Sequence, residues 1–125
     1  MKKVLASPKV PAAIGPYSQA IETDGLVFVS GQLPIEGQNG ELAEGIRQQT
    51  KQSLINISYV LEEAGLKMSD VVKTTVLLQH MSDFSEMNEV YASFFEKDAP
   101  ARICFEVGAL PRGALVEIEA IAVKS

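Results

Sequence analysis

The sequence predicts a single α+β domain in which two helices pack on one face of a mixed β-sheet. A length of 125 residues suits one domain with its own core, so residues 1–125 are assigned to one unit. Two segments have apolar residues at helical spacing, and several short β-branched segments are bounded by glycine, proline or polar residues. In chain order, these segments give two or three strands, a helix, a strand, a helix and two strands.

A β-hairpin is predicted in the first third of the chain. The run Leu26–Ser30 (LVFVS) is apolar and β-branched and ends at Gly31, as expected of a buried strand. The segment from Ser18 to Thr23 precedes it, and Asp24-Gly25 between them is a dipeptide favoured in tight hairpins. We expect these two strands to pair, with a polar, glycine-rich loop at 36–40 beyond them.

A long amphipathic helix is predicted from about Glu44 to Ala64. Apolar side chains recur there at helical spacing, with polar side chains between them. Gly65 suits the left-handed position after a helix, and Leu66 is placed to contact Leu61 as in a Schellman ending. We therefore expect the helix to stop sharply at this glycine.

A second helix is predicted to begin at a cap formed by Ser82 or Asp83, with Glu86 in the capping-box position behind Asp83. Pro100 closes the connection that follows the helix. One side of the helix is apolar and is expected to face the core. This apolar stripe consists of Phe84, Met87, Val90, Tyr91, Phe94 and Phe95.

Three further strands complete the predicted sheet. They are Val71–Leu78, Ala101–Val107 and Leu115–Val123. Alternate residues of a strand point to opposite faces, so Glu117 and Glu119 share a face with Ile121 and Val123. Apolar residues occupy both faces of this last strand, and helices are expected to cover only one. An isolated subunit would expose the other, so we expect an oligomer.

The composition argues against several classes of function. Sixteen acidic residues against eleven basic ones give a formal charge of −5 without a Lys/Arg block, which argues against nucleic acid binding. One cysteine excludes an internal disulfide, and a single cysteine with a single histidine argues against a zinc site. Neither a signal peptide nor a membrane-spanning segment is evident, so a cytoplasmic protein without membrane contact is expected.

Arg102 is the first candidate for a functional residue, because a permanent charge is unusual inside an apolar strand. Period two places it on one strand face with Cys104 and Glu106. A guanidinium binds a carboxylate in a bidentate fork, which would suit an anionic substrate. Spacing alone favours a second interpretation, in which Arg102 forms a structural ion pair. The candidate partners for this ion pair are Glu106, Glu117 and Glu119.

Two carboxylates and a thiol are further candidates. Glu117 and Glu119 are adjacent on one face, where each could raise the pKa of the other and supply an acid or a base. From the sequence alone, a solvated strand face is the more common outcome. Cys104 is better explained as a buried structural thiol than as a nucleophile, because the only histidine, His80, is predicted to lie in an exposed loop.

Weaker signals mark four other positions. Tyr17 follows a Gly-Pro pair, and Ser30 and Gly31 end a strand, where a hydroxyl and a backbone N–H can border a pocket. Asn88 is a weak helix former inside a predicted helix, which indicates a role beyond helix propensity. Composition and spacing alone do not name a reaction.

Several longer stretches occur in one collinear order over nearly the whole chain. They are PAAIGPYSQA (Pro11–Ala20), VSGQLP (Val29–Pro34), VVKTTVLL (Val71–Leu78), MNEVYASFF (Met87–Phe95) and PARICFEV…LP…VEIEAIA (Pro100–Ala122). In this combination they resemble the Rid family of reactive-intermediate deaminases, long called YjgF, and most closely its RidA branch. The joined Pro-Ala-Arg and Glu-Ile-Glu-Ala-Ile-Ala elements are the most specific part of the resemblance.

The resemblance implies a chorismate-mutase-like fold of the bacillus type, assembled as a barrel-like homotrimer with a site in each of three clefts between subunits. It also implies hydrolysis of short-lived enamines and imines, such as 2-aminoacrylate, 2-iminopropanoate and 2-iminobutanoate, to 2-keto acids and ammonium. No cofactor is implied. Pyridoxal-phosphate dehydratases would release these substrates, which gives the protein a functional link to such enzymes.

The resemblance also assigns roles to individual residues. Arg102 is expected to bind the substrate carboxylate, and Glu117 to position or activate the attacking water. Cys104 is expected to contribute its backbone and not a nucleophilic thiol. The residues expected to line the pocket are Tyr17, Ser30, Gly31, Asn88 and Cys104.

Some positions depart from the family's usual pattern. Ile103 and Phe105 replace residues that are commonly smaller, but period two turns them away from Arg102, so we expect them to change packing more than catalysis. Ala109 and Arg112-Gly113 replace a more basic loop, which leaves the substrate range open.

Two other functions are alternatives to deamination. A non-catalytic trimer that binds carboxylate ligands and regulates purine or amino-acid metabolism would use the same pocket. The presence of both Arg102 and Glu117 favours an enzyme, because a carboxylate sensor would not need the second group. Ribonuclease activity is also attached to this family, but the acidic charge, the lack of a basic stripe and the lack of a histidine pair argue against it here.

Overall fold

A six-stranded β-sheet is the frame of the structure, a computed structural model that describes residues 1–125. The strands are β1 (Lys3–Leu5), β2 (Ala20–Thr23), β3 (Leu26–Gln32), β4 (Val71–Leu78), β5 (Ala101–Glu106) and β6 (Val116–Val123). Their spatial order is β1-β2-β3-β6-β4-β5. Only β4 and β5 pair in parallel, so the predicted mixed sheet is confirmed. Five of the six strands match segments predicted from the sequence, and the exception is the short β1, whose three residues show no alternation.

The predicted hairpin is formed by β2 and β3. Asp24 and Gly25 adopt φ angles of 49° and 77°, the left-handed conformation that a tight two-residue turn requires. Strand β3 continues beyond its predicted end to Gln32. Val29 pairs with Ala120 of β6 and Gln32 pairs with Ile118, so β3 carries one residue more than its partner in this interval. This β-bulge bends the strand where Ser30 and Gly31 lie.

Helix α1 (Gly45–Glu62) lies on one face of the sheet. Its apolar stripe is buried without exposure at Leu54, Ile57 and Leu61. Gly65 adopts φ 73°, and the N–H groups of Gly65 and Leu66 donate to the carbonyls of Glu62 and Leu61, each at 3.0 Å. These two bonds form the Schellman ending that the sequence predicted.

Helix α2 (Phe84–Ala92) begins differently from the prediction. Asp83 is the N-cap, but its side chain makes no capping hydrogen bond, so the predicted capping box is wrong. A turn of 3₁₀-helix at 81–83 runs directly into α2 and holds Asp83 at φ −88° and ψ 0°, whereas a capping side chain needs extended backbone. Glu86 accepts a hydrogen bond from Arg47 of α1 instead. Of the predicted stripe, Phe94 and Phe95 lie in the turn beyond the helix.

The two faces of the sheet have different environments. Alternate residues of β6, including Ile118 and Ala120, are buried beneath the helices, whereas Glu117 and Glu119 point to the opposite face, as predicted. We call this opposite side the open face, because no element of the chain covers it. Its exposed apolar side chains include Phe28, Ile103, Phe105 and Val123. Neither α-helix is long and apolar enough to cross a membrane.

Candidate active site

A cleft of about 780 Å³ lies at the open face, beside the bulge of β3. Four of the residues predicted to form the site line it: Tyr17, Ser30, Gly31 and Glu117. The cleft is also lined by Ile14, Arg112 and Glu119. No sequence pattern points to Ile14, and Arg112 stands out in the sequence only as a departure from the family's loop. A Pro-Arg-Gly turn was visible, but its proximity to the cleft depends on long-range packing.

The bulge and the preceding loop fix the rim of the cleft. The Ser30 hydroxyl donates to the carbonyl of Ser18 at 2.6 Å, and the Ser30 N–H donates to the carbonyl of Gln19 at 2.9 Å. These bonds tie β3 to the segment that carries Tyr17, whose side chain is 54% exposed. The Tyr17 hydroxyl makes no hydrogen bond within the chain, so it is free to bind a ligand or a neighbouring subunit.

Glu117 is half-buried in the cleft and makes neither a hydrogen bond nor an ion pair within the chain. Burial raises the pKa of its carboxyl group, and the charge of Glu119 raises it further. Glu119 therefore acts on the pKa of Glu117 in the predicted direction, with burial as the larger cause. A carboxyl group with a raised pKa and no internal partner is suited to accept and return a proton.

Gly31 lets the Glu117 carboxylate lie against the backbone of β3. A Cβ atom added at Gly31 would stand 2.6 Å from Oε2 of Glu117, which is closer than real contacts allow. The obstructed atom is the end of a flexible side chain, so the carboxylate would move and the fold would be kept. The absence of a side chain at this position therefore determines where the carboxylate lies.

On the expectation of imine hydrolysis that the family resemblance implies, Gly31→Ala should lower the rate by about tenfold or more, because a small displacement of a reacting group is costly. The melting temperature should change little. Gly108→Ala is the matched control, since nothing lies within 4 Å of a Cβ added there. Equal hydrolysis rates for the two variants would show that the position of Glu117 is not set by Gly31.

The remaining predicted site residues form a second cluster around Arg102. Arg102 lies on β5, and its Nη1 donates to Oδ1 of Asn88 on α2 at 2.7 Å. Its guanidinium carbon lies 4.8 Å from the ring centroid of Tyr91 and 5.5 Å from that of Phe84. The hydrogen bond that Asn88 accepts from Arg102 explains why asparagine, a weak helix former, occupies this position of α2.

Arg102 forms no salt bridge within the chain, so the structure does not support an ion pair with Glu106, Glu117 or Glu119 of the same chain. Glu106 accepts a hydrogen bond from the Met81 N–H at 2.8 Å, and Glu117 and Glu119 lie on the other face of the sheet. A guanidinium cannot lose its proton and carries several N–H donors. With only Asn88 bound, most of these donors remain available for an external anion.

Cys104 lies on the same strand face as Arg102 and is half-buried. Burial raises the pKa of its thiol, and the charge of Arg102 opposes this effect only in part. His80, the one histidine, is exposed in the loop after β4. A thiol with a raised pKa and no adjacent base is a poor nucleophile at neutral pH.

On the same expectation of imine hydrolysis, Cys104→Ser should retain most of the wild-type rate. Serine preserves the size of the side chain and the backbone groups of β5, while it removes any thiolate chemistry. Initial rates of wild type and variant, measured side by side, test this expectation. A loss as large as that of Arg102→Ala, in a variant that assembles normally, would make the thiol a participant in the reaction.

Within one chain, the two clusters lie on opposite faces of the sheet. Glu117 of β6 is in register with Leu77 of β4 and Phe105 of β5, whereas Arg102 is in register with Thr74 and Ala120 on the helix-covered face. Strand spacings of about 4.8 Å and a rise of about 3.3 Å per residue separate the Cα atoms of Glu117 and Arg102 by about 14 Å. One small molecule cannot contact both side chains of a single chain.

No group of three or more His, Cys, Asp and Glu side chains is arranged to hold a metal ion. Arg112 supplies another cation at the cleft, where it adopts φ 62° and donates to the carbonyl of Gly40 at 3.2 Å.

The chain is similar to known proteins along nearly its whole length. A sequence model of the family described as Endoribonuclease L-PSP matches residues 7–124. The RutC family protein of Pyrococcus abyssi is 49% identical over 124 residues, which cover 98% of each chain. The 2-iminobutanoate/2-iminopropanoate deaminase of Mus musculus is 47% identical over 125 residues, which cover 99% of this chain and 93% of the mouse protein.

A solved structure agrees with these sequence matches. The crystal structure of E. coli TdcF with bound serine has a TM-score of 0.94 to this chain at 41% identity, and the match covers 98% of this chain and 99% of TdcF. The family predicted from the motifs of Pro11–Ala20 and Pro100–Ala122 is thus confirmed by matches that extend over the whole fold. The chain belongs to the Endoribonuclease L-PSP family, which is the YjgF/Rid family.

Proposed function

We propose that the protein is a deaminase that hydrolyses small 2-imino acids and their enamines to 2-keto acids and ammonium. The observation that carries this proposal is the Arg102 guanidinium, which is half-buried without a carboxylate partner and so is prepared to bind one from a substrate. Relatives at 42–47% identity are named 2-iminobutanoate/2-iminopropanoate deaminase, which supports the same substrates here. The substrates proposed are 2-aminoacrylate, 2-iminopropanoate and 2-iminobutanoate.

The reaction requires orientation and proton transfer. An imine carbon is already electrophilic, so water can add to it directly and form a carbinolamine, from which the C–N bond breaks and ammonia leaves. Arg102 binds the substrate carboxylate and fixes the position of the imine carbon. Glu117 accepts a proton from the attacking water and passes it to the imine nitrogen, which gives the carbinolamine. It then moves the hydroxyl proton of the carbinolamine to the same nitrogen as the C–N bond breaks and the carbonyl forms, and the released ammonia takes up a proton from solvent. An enamine first tautomerises to the imine, its carbon gaining a proton as its nitrogen loses one.

The pocket is proposed to lie between subunits of a homotrimer. Arg102 and Glu117 cannot reach one substrate within a chain, so Arg102, Asn88 and Cys104 of one subunit would join Tyr17, Ser30, Gly31 and Glu117 of a neighbour. The open face supports this arrangement, because it exposes several large apolar side chains that a monomer would leave in water. Closure around a threefold axis would cover this face in every subunit.

We expect the protein in solution to have a mass three times that of one chain. Burial of the exposed side chains at the open face, Ile103 and Phe105 among them, provides the free energy of association. Light scattering coupled to size-exclusion chromatography at micromolar concentration measures the mass. A monomer would contradict both the trimer and the shared site, whereas Phe105→Asp should weaken assembly.

A coupled assay tests the proposed reaction. A pyridoxal-phosphate threonine or serine dehydratase generates the enamine, and the rate of keto-acid formation is followed with and without the protein. We expect acceleration that is proportional to the amount of protein added. If the protein binds 2-ketobutyrate but does not accelerate keto-acid formation, it is a regulatory carboxylate-binding protein and not a deaminase.

A further inference from the structure

One side of α2 is built around the Arg102 guanidinium. Phe84, Asn88 and Tyr91 are spaced four and three residues apart, so they lie on the same side of the helix. Asn88 accepts a hydrogen bond from Arg102, and the guanidinium lies over both aromatic rings. No carboxylate takes part in holding this charge.

The Tyr91 ring is itself held in a fixed position. Its hydroxyl is 2.7 Å from the hydroxyl of Thr74, a buried residue of β4 that pairs with Arg102 in the parallel register. The Phe95 ring lies against it, with the two centroids 4.7 Å apart. The position of the Tyr91 ring is therefore determined by α2, by β4 and by the turn after α2. A fixed ring gives Arg102 a rigid surface on which to rest.

Aromatic rings hold a guanidinium in a way that a carboxylate could not. A carboxylate would use the N–H donors in a bidentate fork and would neutralise the charge. A ring attracts the cation through its quadrupole and leaves the N–H donors free. Phe84 and Tyr91 therefore restrict the motion of Arg102 without competing with a substrate carboxylate.

We propose that Phe84 and Tyr91 are positioning residues, which hold the Arg102 guanidinium so that its free N–H donors point to the substrate carboxylate. This proposal rests on the proposed function, since it assigns the two rings to the binding step of that reaction. The rings act on Arg102 and do not touch the reacting atoms. Their contribution should therefore be found in carboxylate binding more than in the chemical step.

Four variants separate positioning from a purely structural role. Phe84→Leu and Tyr91→Leu should raise KM and the Kd for 2-ketobutyrate by about 3- to 30-fold, with a smaller effect on kcat. Phe84→Tyr keeps a ring over Arg102 and should recover most of this loss. Phe94→Leu is the matched control: Phe94 is half-buried near the end of the same helix but lies outside the contacts of Arg102, so KM should stay at the wild-type value.

A spectroscopic measurement makes the test independent of catalysis. Ring currents displace the Nε–H resonance of Arg102 in the NMR spectrum, so Phe84→Leu and Tyr91→Leu should move it and Phe94→Leu should not. If Tyr91→Leu fails to fold, the half-buried Phe84 provides the same comparison. An unchanged resonance, or equal KM values for Phe84→Leu and Phe94→Leu in an active enzyme, would overturn the proposal. If the substitutions displace the resonance but the wild-type protein does not accelerate hydrolysis, the positioning of Arg102 by the two rings would stand and the proposed deaminase activity would be refuted.

Discussion

Replacement of Arg102 by alanine is expected to lower kcat/KM for imine hydrolysis by at least about tenfold, and further if the substrate loses its orientation. A hydrogen bond to a charged group contributes about 1.5–3 kcal/mol, and a carboxylate in a fork uses two such bonds. The measurement is keto-acid formation in the coupled assay, with the Kd for 2-ketobutyrate or pyruvate determined alongside. The kcat/KM should fall and the Kd for the keto acid should rise, since the same side chain binds substrate and product.

Two further substitutions isolate the geometry of Arg102 from its charge. Arg102→Lys keeps the charge but loses the planar fork, so it should also be impaired. Arg47→Ala removes an equal charge from an exposed position on α1, where surface ion pairs with Glu86 and Glu89 contribute little. Arg47→Ala should behave as wild type. Wild-type binding and hydrolysis by Arg102→Ala would refute the assignment of the site.

Glu117→Gln is the second substitution with a large expected effect. It should lower kcat by about 100-fold, the lower end of what proton transfer by a positioned side chain contributes. The affinity for 2-ketobutyrate should remain near the wild-type value, because Arg102 still binds the carboxylate. Single-turnover rates and calorimetric titration measure the two quantities separately. An unchanged kcat would remove Glu117 from the mechanism.

The pH dependence gives an independent check on Glu117. Its carboxylate form is the base, so the rate falls as the pH is lowered through a pKa that burial and Glu119 have raised. Glu119→Gln removes the neighbouring charge and should move this decline to lower pH.

Mixed oligomers test whether Arg102 and Glu117 of different subunits form one site. Arg102→Ala and Glu117→Gln chains are each nearly inactive alone, but random reassembly of equal amounts places both native side chains in about a quarter of shared clefts. We expect denaturation and joint refolding to restore about that fraction of wild-type activity. Mixing without subunit exchange is the control. No recovery after confirmed exchange would place the site within a single chain.

Several elements followed directly from local sequence. The turn at Asp24-Gly25, the strand Val71–Leu78 and the Schellman ending at Gly65 all match the structure. Each depends on residues close together in the chain, such as a left-handed glycine or a β-branched run. The capping box at Asp83 was wrong for a related reason: the motif was present, but the preceding 3₁₀ turn fixed the backbone in a conformation that the motif does not accommodate.

The sequence predicted which residues belong to the candidate site more completely than it predicted how they are arranged in space. The family resemblance of the motifs identified Arg102, Glu117 and their neighbours as site residues. Residue spacing alone favoured a structural ion pair for Arg102. The aromatic rings that hold Arg102 were visible in the sequence only as an apolar helical stripe. Their contact with a cation depends on how α2 packs against β5, which no local pattern reveals.

The sequence by itself determined the family, the order of helices and strands, and the face of each side chain within its own strand. Only the tertiary structure decided that Glu117 and Arg102 face opposite sides of the sheet, and that a bulge brings Gly31 against the Glu117 carboxylate. Period two relates residues of one strand, but the relation between strands depends on their order and register. Burial of apolar side chains from distant parts of the chain fixes that order and register, so the site becomes defined only once the whole core has formed.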